Sequence, residues 1–169
     1  SAGTDVRSAA LYHLGIESSD TNLLQKCITI EPKGRYAPYA KYALASELSK
    51  SPVKSVRRQA MMVLLELHYA GGELAEDALY LLAGRSYAAE SYNEASILFR
   101  KFLNKYPKSQ RFAQARIMAA WSDFSAGKYA DAASLAAGLE TEEAAYLLAS
   151  AAYASGDLKG AALKMREYL

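Results

Sequence analysis

The side chains that most often carry catalysis or hold metals are few in this sequence and lie far apart. Among its 169 residues there are two histidines and one cysteine. His13 and His68 each fall in an apolar helical pattern, and we expect a structural or solvent-facing role for both. Cys27 has no second cysteine at the spacing of a zinc site and is expected to be a small buried side chain. We therefore predict no metal site and no cofactor.

Paired acidic residues are the next source of chemistry, because two neighbouring carboxylates can act as a general acid and a general base. The chain has two such pairs, Glu76-Asp77 and Glu142-Glu143. Each opens a predicted helix, where negative charge complements the helix dipole, so a structural role is expected. The sequence also lacks a phosphate-binding loop, a nucleophile elbow and a dinucleotide fingerprint. We predict that the chain is not an enzyme.

The charge balance argues against generic attraction to nucleic acid or to an anionic membrane, since 20 basic and 18 acidic residues give a net charge of +2. Two basic clusters remain, and we expect them to form a solvated outer face of the protein. No apolar run approaches the roughly 18 residues of a membrane span. The sequence thus predicts no nucleic-acid partner and no membrane span. The clusters are Lys50, Lys54, Arg57 and Arg58, and then Arg100, Lys101, Lys105, Lys108 and Arg111.

The elements that would position any site are helices. The sequence is rich in alanine and leucine and has only four prolines, which is typical of an all-helical protein. Five similar segments recur along the chain, and each has a small residue near its middle that serves as an anchor for alignment. The anchors are spaced by 30, 39, 36 and 29 residues, which indicates a helix-turn-helix repeat. They are Gly15, Ala45, Gly84, Ala120 and Ala149.

Turn and breaker residues divide the repeats into two helices each. Gly127 and Gly156 follow their anchors by seven residues, where a helix is expected to end in a left-handed cap. The same place in the repeat of Gly84 has no glycine. Pro32 and Pro107 are expected to close second helices, because proline cannot continue a helix. Each repeat is thus predicted to be a pair of helices.

One stretch of the chain carries a family resemblance. Residues 75 to 109 resemble a tetratricopeptide repeat (TPR), and the next two repeats keep a weaker form of the same pattern. Its small residues, Gly84 and the alanines, are expected to let two antiparallel helices approach closely. Such a repeat buries its apolar face only by stacking on its neighbours. The signature positions hold Tyr80, Ala83, Gly84, Tyr87, Ala95, Phe99, Phe102 and Pro107.

The resemblance implies an all-α fold, a right-handed superhelical solenoid of antiparallel helix pairs. We expect a single TPR-like repeat domain over residues 1–169, with clear repeats over 73–169 and degenerate repeats over 5–72. The register of the repeats before Gly71 stays open. The sequence also reads as a piece of a longer protein.

The resemblance places a binding surface as well, because the first helices of a TPR array line a concave groove. The side chains that project into it lie three residues before each anchor and one and four residues after it. Here these positions are aromatic and carry few charges, which favours binding of a protein or peptide segment by a non-enzymatic adaptor. The predicted groove residues at these positions are Tyr42, Leu81, Arg85, Ile117, Trp121, Phe124, Tyr146 and Tyr153, and one turn earlier come Tyr39 and Gln114.

The style of the repeats is similar to that of bacterial envelope-assembly proteins, which end a helix in Tyr-Pro-x-Ser before an alanine-rich helix. Here that run is Tyr106 to Ser109. The similarity implies an adaptor in outer-membrane or cell-wall assembly in the periplasm, with the cytoplasm as the alternative compartment. Two other functions stay open. One is a structural module that forms homo-oligomers through exposed terminal repeats, and the other is a helical accessory domain of a larger envelope enzyme.

Overall fold

The computed structural model describes the backbone of residues 2–168 and the side chains of residues 3–166. Over this range the regular structure is entirely helical, as the composition predicts. The chain forms two compact units, Ser1–Leu81 and Leu82–Leu169, and the boundary between them falls inside the fifth helix. The helices are α1 Ala2–Glu17, α2 Thr21–Ile30, α3 Ala37–Leu48, α4 Lys54–Ala70, α5 Ala75–Ala88, α6 Tyr92–Lys105, α7 Phe112–Ser125, α8 Tyr129–Ala136, α9 Glu142–Ala154 and α10 Leu158–Tyr168.

Helices that follow one another in the sequence pack against one another within each unit. In the first unit α1 packs on α2, α2 on α3 and α3 on α4. In the second unit the same succession runs from α6 to α10, and α7 also contacts α9. The connections are short, so neighbouring helices run antiparallel. The predicted organisation into helix pairs is confirmed.

Proline and glycine end the helices where the sequence predicts. Pro32 and Pro107 each stand two residues beyond the last residue of a helix, α2 and α6 respectively. Gly127 and Gly156 adopt φ angles of 78° and 89° after α7 and α9. In the preceding repeat Glu90 takes the same left-handed conformation with φ of 59°. A residue with a Cβ therefore occupies a position that favours glycine.

The core of the first unit is built around α2. Leu24, Cys27 and Ala40 are almost completely buried there. The Sγ of Cys27 lies 3.3 Å from the carbonyl oxygen of Ser8, so the predicted buried role of this cysteine is confirmed. A Cβ on Gly15 would lie 2.9 Å from side-chain atoms of Leu24. Glycine therefore allows the close approach of α1 to α2 at this point.

The two histidines have different surroundings. His68 is fully buried, and its Nδ1 lies 3.0 Å from the carbonyl oxygen of Ala75. This contact links the end of α4 to the start of α5, which is the structural role predicted for it. His13 is exposed on α1, and its ring meets that of Tyr12 edge-on with the centroids 5.1 Å apart.

The core of the second unit is made of small and aromatic side chains. Ala95, Ala120 and Ala132 have no exposed surface, and Phe99 and Phe102 are at most 1% exposed. Because protein interiors are close-packed, a side chain larger than alanine would have no room at these three positions. The small residues of the repeat pattern thus mark helix contacts in this unit.

Gly84 does not share that role. A Cβ built on Gly84 would have no neighbouring atom within 4 Å. The prediction that a small residue at this position lets two helices approach closely is therefore wrong. The surface of α5 is open at this point, and the close approaches occur at the buried alanines instead.

No helix in residues 2–168 combines the length and the apolar character needed to cross a membrane. The longest of them, α4, has 17 residues and carries four charged side chains, Lys54, Arg57, Arg58 and Glu66. Within the same described range, no group of three or more histidine, cysteine, aspartate or glutamate side chains could hold a metal ion.

Candidate functional site

Four of the predicted groove residues form an aromatic patch in the second unit, comprising Trp121, Phe124, Tyr146 and Tyr153. The rings of Trp121 and Phe124 meet edge-on, with centroids 5.5 Å apart and an interplanar angle of 81°. The rings of Trp121 and Tyr146 are tilted by 39°, with centroids 6.0 Å apart. Tyr153 and Phe124 line a common cavity of about 490 Å³. Ring contacts of this kind hold aromatic side chains in fixed positions.

Much of the aromatic patch is accessible to another molecule. Tyr146 is 53% exposed and Tyr153 is 68% exposed, while Trp121 and Phe124 are half-buried. Exposed aromatic side chains that lie together are typical of interaction surfaces. Because these rings have few rotatable bonds, contact with a partner costs little side-chain entropy. The aromatic patch can therefore receive an apolar side chain of a partner.

Helix periodicity explains why the four rings lie together on α7 and α9. Trp121 and Phe124 are three residues apart in α7, and Tyr146 and Tyr153 are seven apart in α9, so each pair shares one face of its helix. Thr141 caps the N-terminus of α9, since its Oγ1 accepts a hydrogen bond of 3.2 Å from the N–H three residues later. The packing of α7 against α9 then brings the two faces together.

A carboxylate fixes the orientation of the tryptophan ring. The indole N–H of Trp121 donates a hydrogen bond of 2.8 Å to Oε1 of Glu143, in the first turn of α9. The sequence predicts only a helix-dipole role for Glu143, so this second role was missed. Glu140 and Glu142 are also exposed at this end of α9. One edge of the aromatic patch therefore carries negative charge, and its carboxylate oxygens can accept further hydrogen bonds.

The other three predicted groove residues of the second unit are placed differently. Ile117 is 6% exposed and belongs to a core cluster against which Trp121 and Phe124 pack. Its side chain is therefore not available at the surface. Gln114 is exposed on α7, and Arg85 is half-buried on α5 with its Nε buried and without a hydrogen-bond partner.

In the first unit, predicted groove residues line a second cavity. Tyr39 and Tyr42 share with Tyr12 the wall of a cavity of about 380 Å³. The hydroxyl of Tyr39 donates a hydrogen bond of 2.5 Å to Oε2 of Glu73. This hydrogen bond and the negative charge of Glu73 raise the pKa of Tyr39 above its usual value, because both favour the neutral phenol. Leu81, the remaining predicted residue of this unit, is half-buried on α5.

A buried carboxylate on α7 was not predicted from the sequence. Asp123 is 1% exposed, and its carboxylate accepts hydrogen bonds from Oγ of Ser96 at 2.6 Å and from Arg100 at 2.5 Å. The sequence places Arg100 on a solvated basic face, and its side chain is 43% exposed. Its guanidinium also neutralises a charge inside the unit, and this second role was not predicted. A single aspartate within the apolar run of α7 was the only signal in the sequence.

No family model matches the chain, and no curated protein sequence matches it. Solved structures do match. One is a protein of Podosopora anserina described as a kinesin light chain with nearly identical TPR-like repeats. It has a TM-score of 0.68 and 14% sequence identity, over 99% of this chain and 92% of that chain. A single-substitution variant of that protein matches with a TM-score of 0.67 and 15% identity, over the same shares of both chains.

At these identities the likeness shows the fold alone. The chain has an all-α, TPR-like repeat fold, which is the fold class that the sequence predicts. TPR-like repeats generally serve as scaffolds for protein–protein interaction, since stacked repeats create extended binding surfaces.

Proposed function

We propose that this protein is a non-enzymatic adaptor that binds a segment of a partner protein on the aromatic patch. The observation that carries the proposal is the position of the exposed Tyr146 and Tyr153 beside the half-buried Trp121, whose indole is held by Glu143. Aromatic side chains in fixed positions supply large contact area, and they are enriched among the residues that dominate binding energy.

The chemistry of the aromatic patch favours a particular kind of segment. Trp121 and Phe124 present half-buried rings that suit an apolar or aromatic anchor residue of the partner. The carboxylates of Glu142 and Glu143 stand at one edge and attract a basic residue beside that anchor. We therefore propose a partner segment with an apolar anchor flanked by lysine or arginine, bound in extended or helical form.

We also propose that the adaptor acts in bacterial envelope assembly, in the periplasm. This part of the proposal rests on the style of the run Tyr106 to Ser109, which is similar to that of envelope-assembly repeat proteins. Fractionation of the cells that make the protein tests it directly. Recovery of the native protein in the cytoplasm would exclude the periplasmic assignment and leave the adaptor proposal standing.

The binding proposal is tested with the chain's only tryptophan. Proteins captured on immobilised wild-type chain would be compared with those captured on a Trp121→Ala, Tyr146→Ala variant, and a peptide made from the captured partner would then be titrated. Binding to the wild type should change the emission of Trp121, because the partner covers its ring. The variant should bind at least about 10-fold more weakly, as expected for loss of central aromatic residues.

The matched control is Ile97→Ala on α6, a residue that is 66% exposed and lies outside the aromatic patch. This variant should bind as the wild type does. Equal binding by the wild type and the Trp121→Ala, Tyr146→Ala variant would show that the partner uses another surface, and the proposed site would then be wrong.

A further inference from the structure

Three tyrosines line the cavity of about 380 Å³ in the first unit, which we call the tyrosine cavity. Tyr12 comes from α1, and Tyr39 and Tyr42 come from α3. All three side chains are half-buried. The rings of Tyr12 and Tyr39 are tilted by 58° to each other, with their centroids 6.3 Å apart. The faces of such rings carry partial negative charge and attract a cation within about 6 Å.

The remaining walls of the tyrosine cavity are partly apolar. Leu24 of α2 lines it and is 1% exposed. Leu74, which directly precedes α5, lines it as well and is half-buried. The cavity thus lies among several elements of the first unit, and it offers apolar surface to the stem of a side chain.

Negative charge accompanies the tyrosine rings. Glu47 of α3 lines the cavity, and Oε2 of Glu73 accepts the hydrogen bond of 2.5 Å from the hydroxyl of Tyr39. Among the described side chains, those of residues 3–166, none that lines the cavity is basic. A phenol that donates to a carboxylate becomes richer in electrons, which strengthens the attraction of its ring for a cation. The tyrosine cavity therefore combines aromatic faces with carboxylate groups.

Two basic side chains lie nearby without lining the tyrosine cavity. Nζ of Lys50 lies 2.8 and 2.9 Å from the two carboxylate oxygens of Glu47. The side chain of Lys50 is 52% exposed, and surface pairs of this kind are weak, so Glu47 can also interact with a second ammonium group. The guanidinium of Arg35 lies 5.8 Å from the ring centre of Tyr36, whose ring packs on that of Tyr12. A cation is thus already held against one ring of this tyrosine cluster, outside the cavity.

We propose that the tyrosine cavity binds a lysine side chain of a partner protein. A lysine side chain combines an apolar stem with an ammonium group that has three hydrogen-bond donors. The ammonium group is held by the rings of Tyr12 and Tyr39 and by the carboxylate of Glu73, and the stem lies against apolar lining such as Leu74. The inference goes beyond the adaptor function proposed above, since this site belongs to the other unit and takes a charged side chain.

The test is a titration of the chain of residues 1–169, followed through its backbone amide signals by NMR. The probes are lysine and norleucine, each blocked with an acetyl group and a methylamide, so that the two differ only in the ammonium group. Blocked lysine should shift the signals of Gly15 and Ser46, which line the tyrosine cavity, until the site is saturated. Blocked norleucine should bind at least about 5-fold more weakly, which corresponds to the loss of one cation–π contact at an accessible site.

Variants at two positions separate the ring from the charge. Tyr39→Phe and Tyr39→Leu both remove the hydrogen bond to Glu73, but only Tyr39→Leu removes the ring. The Leu variant should therefore bind blocked lysine about 2- to 5-fold more weakly than the Phe variant does. Glu73→Gln keeps an acceptor for Tyr39 and removes the negative charge, so it should weaken the binding of blocked lysine and leave that of blocked norleucine unchanged. Because Glu73 is exposed, this variant should fold as the wild type does.

The matched control is Tyr69→Leu, because Tyr69 is 68% exposed on α4 and lies outside the tyrosine cavity. This variant should bind blocked lysine as the wild type does. Tetramethylammonium serves as a second probe, since it carries the same charge but cannot donate a hydrogen bond to a carboxylate. It should bind more weakly than blocked lysine.

Several results would overturn the proposal. Equal affinity for blocked lysine and blocked norleucine would show that the tyrosine cavity takes an apolar group. Tighter binding of tetramethylammonium than of blocked lysine would assign the cavity to a small quaternary amine. Unchanged binding of blocked lysine by Glu73→Gln would exclude the charge complementarity on which the inference depends. None of these results bears on the aromatic patch of the second unit, which is tested separately.

Discussion

The two side chains of the ion pair between Arg100 and Asp123 differ in burial, and this difference predicts which substitution destabilises the protein more. The side chain of Asp123 is 2% exposed, whereas that of Arg100 is 43% exposed. When one partner is removed, only water and the remaining protein groups can stabilise the charge of the other. A guanidinium at the surface is hydrated by water, but a buried carboxylate is not. Removal of Arg100 should therefore lower the free energy of unfolding more than removal of the charge of Asp123.

The two costs can be worked from the contacts. Arg100→Met leaves Asp123 buried with the hydroxyl of Ser96 as its remaining donor. An orphaned buried charge costs about 3–5 kcal/mol, and we expect about 3 because water reaches the vacated side of the pair. Asp123→Asn keeps a carbonyl oxygen for Ser96 and leaves a hydrated guanidinium. That change should cost about 1 kcal/mol, the net contribution of one hydrogen bond near the surface.

Urea unfolding followed by the fluorescence of Trp121 measures these costs, because the chain's only tryptophan lies in the same unit. The midpoint should fall more for Arg100→Met than for Asp123→Asn, with little change in slope. The variant that carries both changes should be more stable than Arg100→Met alone, since it holds no orphaned charge. An Asp123→Asn cost equal to or above that of Arg100→Met would refute the reasoning.

Three further predictions concern packing, backbone strain and pH. Ala132→Leu should destabilise the second unit by about 1–3 kcal/mol in the same urea assay, because Ala132 has no exposed surface and a larger side chain overpacks the contact. An unchanged midpoint would show that Ala132 does not lie at a close helix contact. Glu90→Gly should stabilise the protein by about 1 kcal/mol in thermal unfolding, since it relieves a left-handed φ of 59°. The raised pKa of Tyr39 means that its contact with Glu73 stabilises the fold fully below pH 10.0 and is lost as the pH rises through the raised value. Ultraviolet titration of Tyr39→Phe should therefore lack one tyrosine step that lies above pH 10.0 in the wild type.

The helices and their pairing could be read from the sequence because they depend on neighbours a few residues away. Proline at 32 and 107 removes a helical hydrogen bond in any fold, and glycine at 127 and 156 adopts a left-handed φ at little cost. Alanine spaced by one repeat marks helix contacts, and the burial of Ala120 and Ala149 bears this out. Glu90 shows the limit of such signals, since a turn can keep its geometry without the preferred residue.

The surface residues could be predicted only in part, because spacing identifies a face of a helix but not what covers it. Ile117 and Trp121 are four residues apart on one face of α7, and both belong to the predicted groove. The packing of α8 and α9 buries Ile117 and leaves Trp121 half-exposed. The hydrogen bond from Trp121 to Glu143 joins residues 22 apart, and no local pattern reveals it.

By itself the sequence determined a chain of helix pairs and the aromatic residues that α7 and α9 present. Only the tertiary structure decided that Arg100 reaches a buried Asp123, that Gly84 makes no close contact, and that Glu143 holds the indole of Trp121. The physical reason is the range of the interactions. Helix formation and termination are local, whereas burial, ion pairing and hydrogen bonds between helices depend on which helices meet.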